Sequence, residues 1–65
     1  MKIIYITEAS LARKREAGLL KMEVAYEVTA PAHGRYAAHT QFAWSPDGIG
    51  MYWYDTEDEL LANHG

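Results

Sequence analysis

Leu20-Lys21-Met22-Glu23-Val24-Ala25-Tyr26-Glu27-Val28-Thr29 alternates side chains in period two. Leu20, Met22, Val24, Tyr26 and Val28 point one way, and Lys21, Glu23, Ala25, Glu27 and Thr29 the other. That is the pattern of a strand with one buried and one wet face. Residues 35–44 repeat it, with Tyr36, Ala38, Thr40, Phe42 and Trp44 against Ala37, His39, Gln41 and Ala43. Residues 49–54 set Ile49, Met51 and Trp53 against Gly50, Tyr52 and Tyr54. Upstream, the β-branched and aromatic run Ile3–Ile6 predicts a first strand over residues 2–7.

Turn chemistry sets how these strands pair. A three-residue loop Ala32-His33-Gly34, with Gly34 left-handed, sets Val24 against Phe42, Tyr26 against Thr40 and Met22 against Trp44. Ser45-Pro46-Asp47-Gly48 suits a type I turn, which sets Phe42 against Met51 and Thr40 against Trp53. Both pairings give one shared apolar face. On the other face Glu27, His39 and Tyr54 fall in one row, with Ala25, Gln41 and Tyr52 beside it.

Two segments carry helix signals. Thr7 can cap Glu8–Ala17, the basic trio Arg13-Lys14-Arg15 suits the negative helix end, and Gly18 can stop it. The apolar stripe is thin, so a hairpin arm over residues 8–17 is the rival. Thr56-Glu57-Asp58-Glu59 is a capping box opening a short helix through Leu60, Leu61 and Ala62. The expected fold is a single small α+β domain over residues 1–65. It has a mostly antiparallel sheet of about four strands, with one or two short helices on one face.

A chain of 65 residues buries only about 60% of its unfolded surface. With half its residues apolar and two Trp, it can still build a core. The absence of Cys excludes disulfides and thiolate metal sites and suits a reducing cytoplasm. The first residues are too short an apolar run for a signal peptide or membrane span.

Charge is divided along the chain. No Lys or Arg follows Arg35, whereas Asp47, Asp55, Glu57, Asp58 and Glu59 all do. Residues 1–22 hold Lys2, Arg13, Lys14, Arg15 and Lys21 against only Glu8 and Glu16. Acids in a first helical turn favour the dipole, yet an acidic end extending to Asp47 also suits a basic protein partner. Three cations without an aromatic platform, on a chain of net charge −3, make a poor nucleic-acid site.

The row Glu27–His39–Tyr54 could serve acid/base chemistry, but with small residues around it and no nucleophile it reads as a cross-strand polar network. His33, His39 and His64 are too scattered for a metal motif. The acidic run lacks the spacing of a calcium loop. Ser10 and Ser45 sit in no nucleophile elbow, and no Gly-rich phosphate loop is present. The residues imply no cofactor and no catalysis.

With strands over 2–7, 20–29, 35–44 and 49–54 and an acidic end, the chain resembles small phage-encoded anti-CRISPR proteins, in particular those acting on type I systems such as type I-C. The resemblance covers size, architecture and charge along the whole chain. It implies a non-enzymatic inhibitor that imitates the DNA backbone and occupies the basic groove of a type I effector complex (Cascade), so blocking target DNA. On that likeness the partner-binding residues are Asp47, Asp55, Glu57, Asp58 and Glu59, with Tyr52 and Tyr54 as anchors and Glu27 and His39 beside them. The basic N-terminal third departs from the pattern and confines mimicry to one side of the molecule. The resemblance implies a protein partner with a basic surface, with no direct nucleic acid, membrane or small-molecule substrate. It also implies a place in the cytoplasm, that of the host cell if phage-encoded. An antitoxin-like or other small phage or plasmid protein neutralising a basic partner is the alternative. A minor enzyme or sensor built on His39 is the rival from another class.

Overall fold

Thr7 ends one strand and starts one helix, and that double role sets the topology of the N-terminal half. In the computed structural model, which describes residues 2–65, β1 (Ile3–Thr7) runs directly into α1 (Glu8–Glu16). The Thr7 hydroxyl accepts the Ser10 N–H at 3.2 Å, satisfying one of the amides left free at a helix start. At the other end Leu19 N–H reaches the Lys14 carbonyl and Gly18 N–H reaches that of Arg15, a Schellman closure. The chain then returns as β2 (Val24–Ala30), parallel to β1, with Ile4 beside Tyr26 and Ile6 beside Val28. Residues 8–16 are therefore helix and the hairpin arm is not formed.

β3 (His39–Ser45) and β4 (Tyr52–Tyr54) follow as antiparallel neighbours, and α2 (Glu57–His64) closes the chain. Among the described residues the strands form one mixed sheet in the order β1-β2-β3-β4. The expected class, a small α+β domain with a four-stranded and mostly antiparallel sheet, is the one observed.

The pairing differs from expectation by three residues in both hairpins. Gly34 does take a left-handed φ of 57°, but it does so as the first central residue of a two-residue turn, Gly34-Arg35. His33 and Tyr36 exchange both backbone hydrogen bonds at 2.9 Å across it, as a II′-type turn requires. The ribbon continues in that register, so Val28 meets Gln41, Tyr26 meets Ala43 and Val24 meets Ser45. Between β3 and β4 the connection is wider than a four-residue turn. The Asp47 carboxylate accepts the N–H groups of Ile49 and Gly50 at 2.9 and 2.8 Å, and the buried Ser45 hydroxyl bridges Gly48 N–H and the Gly50 carbonyl. These bonds hold residues 46–51 as a loop, and Trp53 then meets Ala43 and Tyr54 meets Phe42.

The strands are also shorter than the alternation implies. β2 starts at Val24 because Glu23 takes φ 55° and the Lys21 N–H turns inward to donate to the Tyr26 hydroxyl at 3.1 Å. β3 starts at His39 because Pro31 offers no N–H to a partner, and residues 31–38 stand out as an exposed ribbon.

A shift of three is odd, and an odd shift changes which side chains share a face. One face carries Ile4, Ile6, Tyr26, Val28, Gln41, Ala43 and Trp53. The other carries Tyr5, Ala25, Glu27, Phe42, Trp44, Tyr52 and Tyr54. The core cluster of Leu11, Leu20, Tyr26, Val28 and Ala43 lies on the first face, with α1 over β1 and β2. α2 lies over β3 and β4, with His64 against Trp44, Tyr52 and Tyr54, and so covers the second face. The helices therefore occupy opposite faces rather than the shared face the sequence suggests. No helix among the described residues is long and apolar enough to cross a membrane.

Candidate functional site

The row expected to join Glu27, His39 and Tyr54 is divided by the observed register. Glu27, Phe42 and Tyr54 line up on the α2 face. His39 pairs with Ala30 and faces the α1 side, exposed, beside Gln41. The histidine that meets Tyr54 is His64, whose Nε2 lies 2.7 Å from the Tyr54 hydroxyl. Its ring stacks on Trp44 at 5.1 Å between centroids and 14° between planes, and Tyr52 leans against it at 5.6 Å. Sequence reasoning passes over His64 as a terminal residue. The available signal was its place on α2, two turns beyond the Thr56 cap and on the side of the helix where Leu60 is buried.

Tyr52 and Tyr54 thus stand on the face opposite His39 and Gln41, not on the same one. Tyr52 remains exposed, whereas Tyr54 is half-buried and tied to α2. Phe42, expected in the core row with Val24 and Met51, is half-buried on the α2 face. Tyr5, 77% exposed, extends the Glu27 row at the edge strand. α2 covers only β3 and β4, so Tyr5, Thr7, Glu27 and Thr29 form an open shelf beside it.

The acids fall into two groups. Asp55 follows β4, and Glu57, Asp58 and Glu59 occupy the first turn of α2. The Thr56 hydroxyl accepts Glu59 N–H at 3.2 Å and donates to the Glu59 carboxylate at 3.4 Å. All four acids are exposed, Asp55 in the bend after β4 and the other three at the start of the helix that covers the second face, and Glu27, half-buried, lies two strands away, about 10 Å from the Tyr54 position. Asp47 belongs to the opposite end. It follows Ser45, four residues further along β3 than the level of Asp55, a distance of about 13 Å. Its two backbone hydrogen bonds, from Ile49 and then Gly50, hold its carboxyl below the ordinary carboxylate value. The structure thus gives Asp47 a part in forming the loop.

The cations Arg13, Lys14 and Arg15 end α1 on the other face. The helix that carries the basic trio and the helix that carries the acidic run thus pack on opposite faces of the sheet, with Lys14 reaching the β1 edge beside Tyr5 and Thr7. Among the described residues no cluster of three or more His, Asp or Glu side chains could hold a metal, and every buried side-chain nitrogen or oxygen has a hydrogen-bond partner. Comparison with known protein families, with curated proteins and with solved structures finds no match.

Proposed function

We propose that the chain is a non-enzymatic protein inhibitor that meets a basic protein surface through its α2 face. The acids Asp55, Glu57, Asp58 and Glu59 take the part of DNA phosphates. The observation that carries this reading is the segregation of charge: the acids of α2 and the cations of α1 sit on opposite faces of one sheet. A basic groove can therefore approach the acids of α2 without meeting Arg13 or Arg15, Lys14 standing at the far β1 edge beside Tyr5. The separation of His39 from Glu27 and Tyr54 also takes apart the one row that suggested acid/base chemistry. With the resemblance described above, the partner is a type I CRISPR effector complex, and inhibition consists of blocking its DNA groove. Tyr52 and Tyr5 are the exposed aromatics placed to anchor the contact, since interface aromatics often carry much of the binding energy.

The test is to titrate the purified chain into a purified type I effector complex and follow target DNA binding. Loss of DNA binding, reversed by Asp55→Lys with Asp58→Lys, supports the reading. A complex that binds DNA normally at saturating chain removes that partner.

A further inference from the structure

On the α1 face, no helix among the described residues lies above β3 and β4, and α1 forms the wall of the cleft that results. The cleft has a volume of about 300 Å³ and is lined by Glu8, Leu11, Arg15, His39, Gln41 and Trp53 among others. That volume is at the lower end of ligand-sized pockets, which are characteristically apolar with a few convergent polar groups. Its floor is Val28 and Ala30, with Leu11 above. Trp53 is 45% exposed although it stands on the same face as the core.

The polar groups are ordered along the cleft. Glu8 follows Thr7, which pairs with Thr29, so it stands at the level of Ala30 and His39. α1 runs back antiparallel to β2. Seven residues at 1.5 Å each put Arg15 about 10 Å further along. On the strand that is about three residues, the level of Glu27 and Phe42, one residue short of the row of Tyr26, Ala43 and Trp53. One end thus presents a carboxylate and an imidazole, the other a guanidinium on the helix wall and an indole on the sheet. Gln41 and an apolar floor lie between. Three extended residues of peptide also span about 10 Å.

We propose that this cleft binds short zwitterionic peptides of about three residues. The ammonium lies against Glu8, the carboxylate against Arg15, and an apolar central side chain sits on Leu11, Val28 and Trp53. Gln41 offers its amide to the peptide backbone. The guanidinium is suited to the carboxylate because it binds that group through two parallel hydrogen bonds. The site is on the face opposite the acidic surface, so it stands or falls independently of the inhibitor reading.

The experiment is a nuclear magnetic resonance titration of the full chain with Ala-Leu-Ala. Its N-acetylated, C-amidated form is the control. The free peptide should shift the Trp53 indole and Gln41 side-chain signals saturably with a Kd of about 1 mM or tighter, and the capped form should bind at least about tenfold more weakly. Arg15→Gln should lower affinity for the free peptide and leave the amidated one unaffected. Glu8→Gln should do the same for the ammonium. Both residues are exposed, and the spectrum of each variant reports whether it is folded. No saturable shift up to about 10 mM, equal binding of the capped peptide, or shifts confined to the α2 face would each overturn the proposal.

Discussion

Gly48 and Gly34 both take a left-handed backbone, yet their surroundings differ. At Gly48, φ is 78° and an added Cβ would stand 2.9 Å from the Leu20 carbonyl oxygen, which is backbone and cannot swing aside. At Gly34 an added Cβ meets nothing within 4 Å. Left-handed backbone costs an L-residue about 1–2 kcal/mol, so Gly34→Ala should lose that amount. Gly48→Ala should lose more, because the loop 46–51 must also move off Leu20. Denaturant melts of the two variants decide it, and equal losses would mean the Leu20 contact is not formed. Asp47 makes the neighbouring prediction. Its carboxyl is held below its ordinary 3.8 by the Ile49 and Gly50 amides. A depressed folded-state value stabilises the protein above the unfolded value and is lost as pH falls through the folded one. The melting temperature should therefore drop further on acidification below pH 3.8 for the parent than for Asp47→Asn, all other carboxyls being common to both. Parallel pH curves would remove Asp47 from the loop's support.

Among the elements, α2 depends on two residues at different depths. Leu60 is fully buried, and Leu60→Ala should cost about 2–5 kcal/mol, a large part of the roughly 3–10 kcal/mol that a domain of this length holds. Thr56→Ala removes only the cap and should cost about 1 kcal/mol. Thermal melts should rank them in that order. Leu60→Ala should also shift Trp fluorescence to the red, because undocking α2 takes His64 off Trp44. An unshifted spectrum would mean α2 does not shield Trp44. The caps of both helices were legible in the sequence because Thr7, Gly18, Thr56 and Glu59 act within a few residues of themselves. The strands were legible in number but not in pairing. Gly34 satisfies either a three-residue loop or the Gly34-Arg35 turn, and Asp47 draws Ser45–Gly50 into a loop that turn statistics do not anticipate. The alternation could not correct the error, because the sheet carries a helix on each face. Ala25 is 0% and its neighbour Tyr26 3% exposed, so apolar and buried positions do not follow one parity. Of the proposed site, the acids at the start of α2 were legible as a run. Their separation from Asp47, and of His39 from Tyr54, followed from a register the sequence left open.

For the whole molecule, the two-faced charge gives the inhibitor reading its sharpest consequence. A partner held by charge at an exposed face should be lost steeply with salt, because exposed charges are screened within about 10 Å at 0.1 M ionic strength. Reversals on the two faces should act differently. Asp55→Lys lies outside the helix and Asp58→Lys in its first turn, where lost dipole stabilisation costs only about 0.3–1 kcal/mol. The pair should keep the fold, abolish inhibition and flatten the salt dependence of what binding remains. Arg13→Glu with Lys14→Glu, on the α1 face, should leave inhibition intact or strengthen it slightly, since long-range attraction rises as the chain becomes more acidic. Asp47→Lys should disturb the loop while sparing inhibition, because Asp47 stands about 13 Å along the strands from the acids of α2. Affinity measured across ionic strength for all three variants separates the alternatives. Equal and opposite changes from the two faces, a gain from the α1 pair matching the loss from the α2 pair, would mean that only net charge matters. Full inhibition by the Asp55/Asp58 variant, with binding indifferent to salt, would move the contact from the acids to Tyr5 and Tyr52, where apolar contact rather than phosphate imitation would hold the partner.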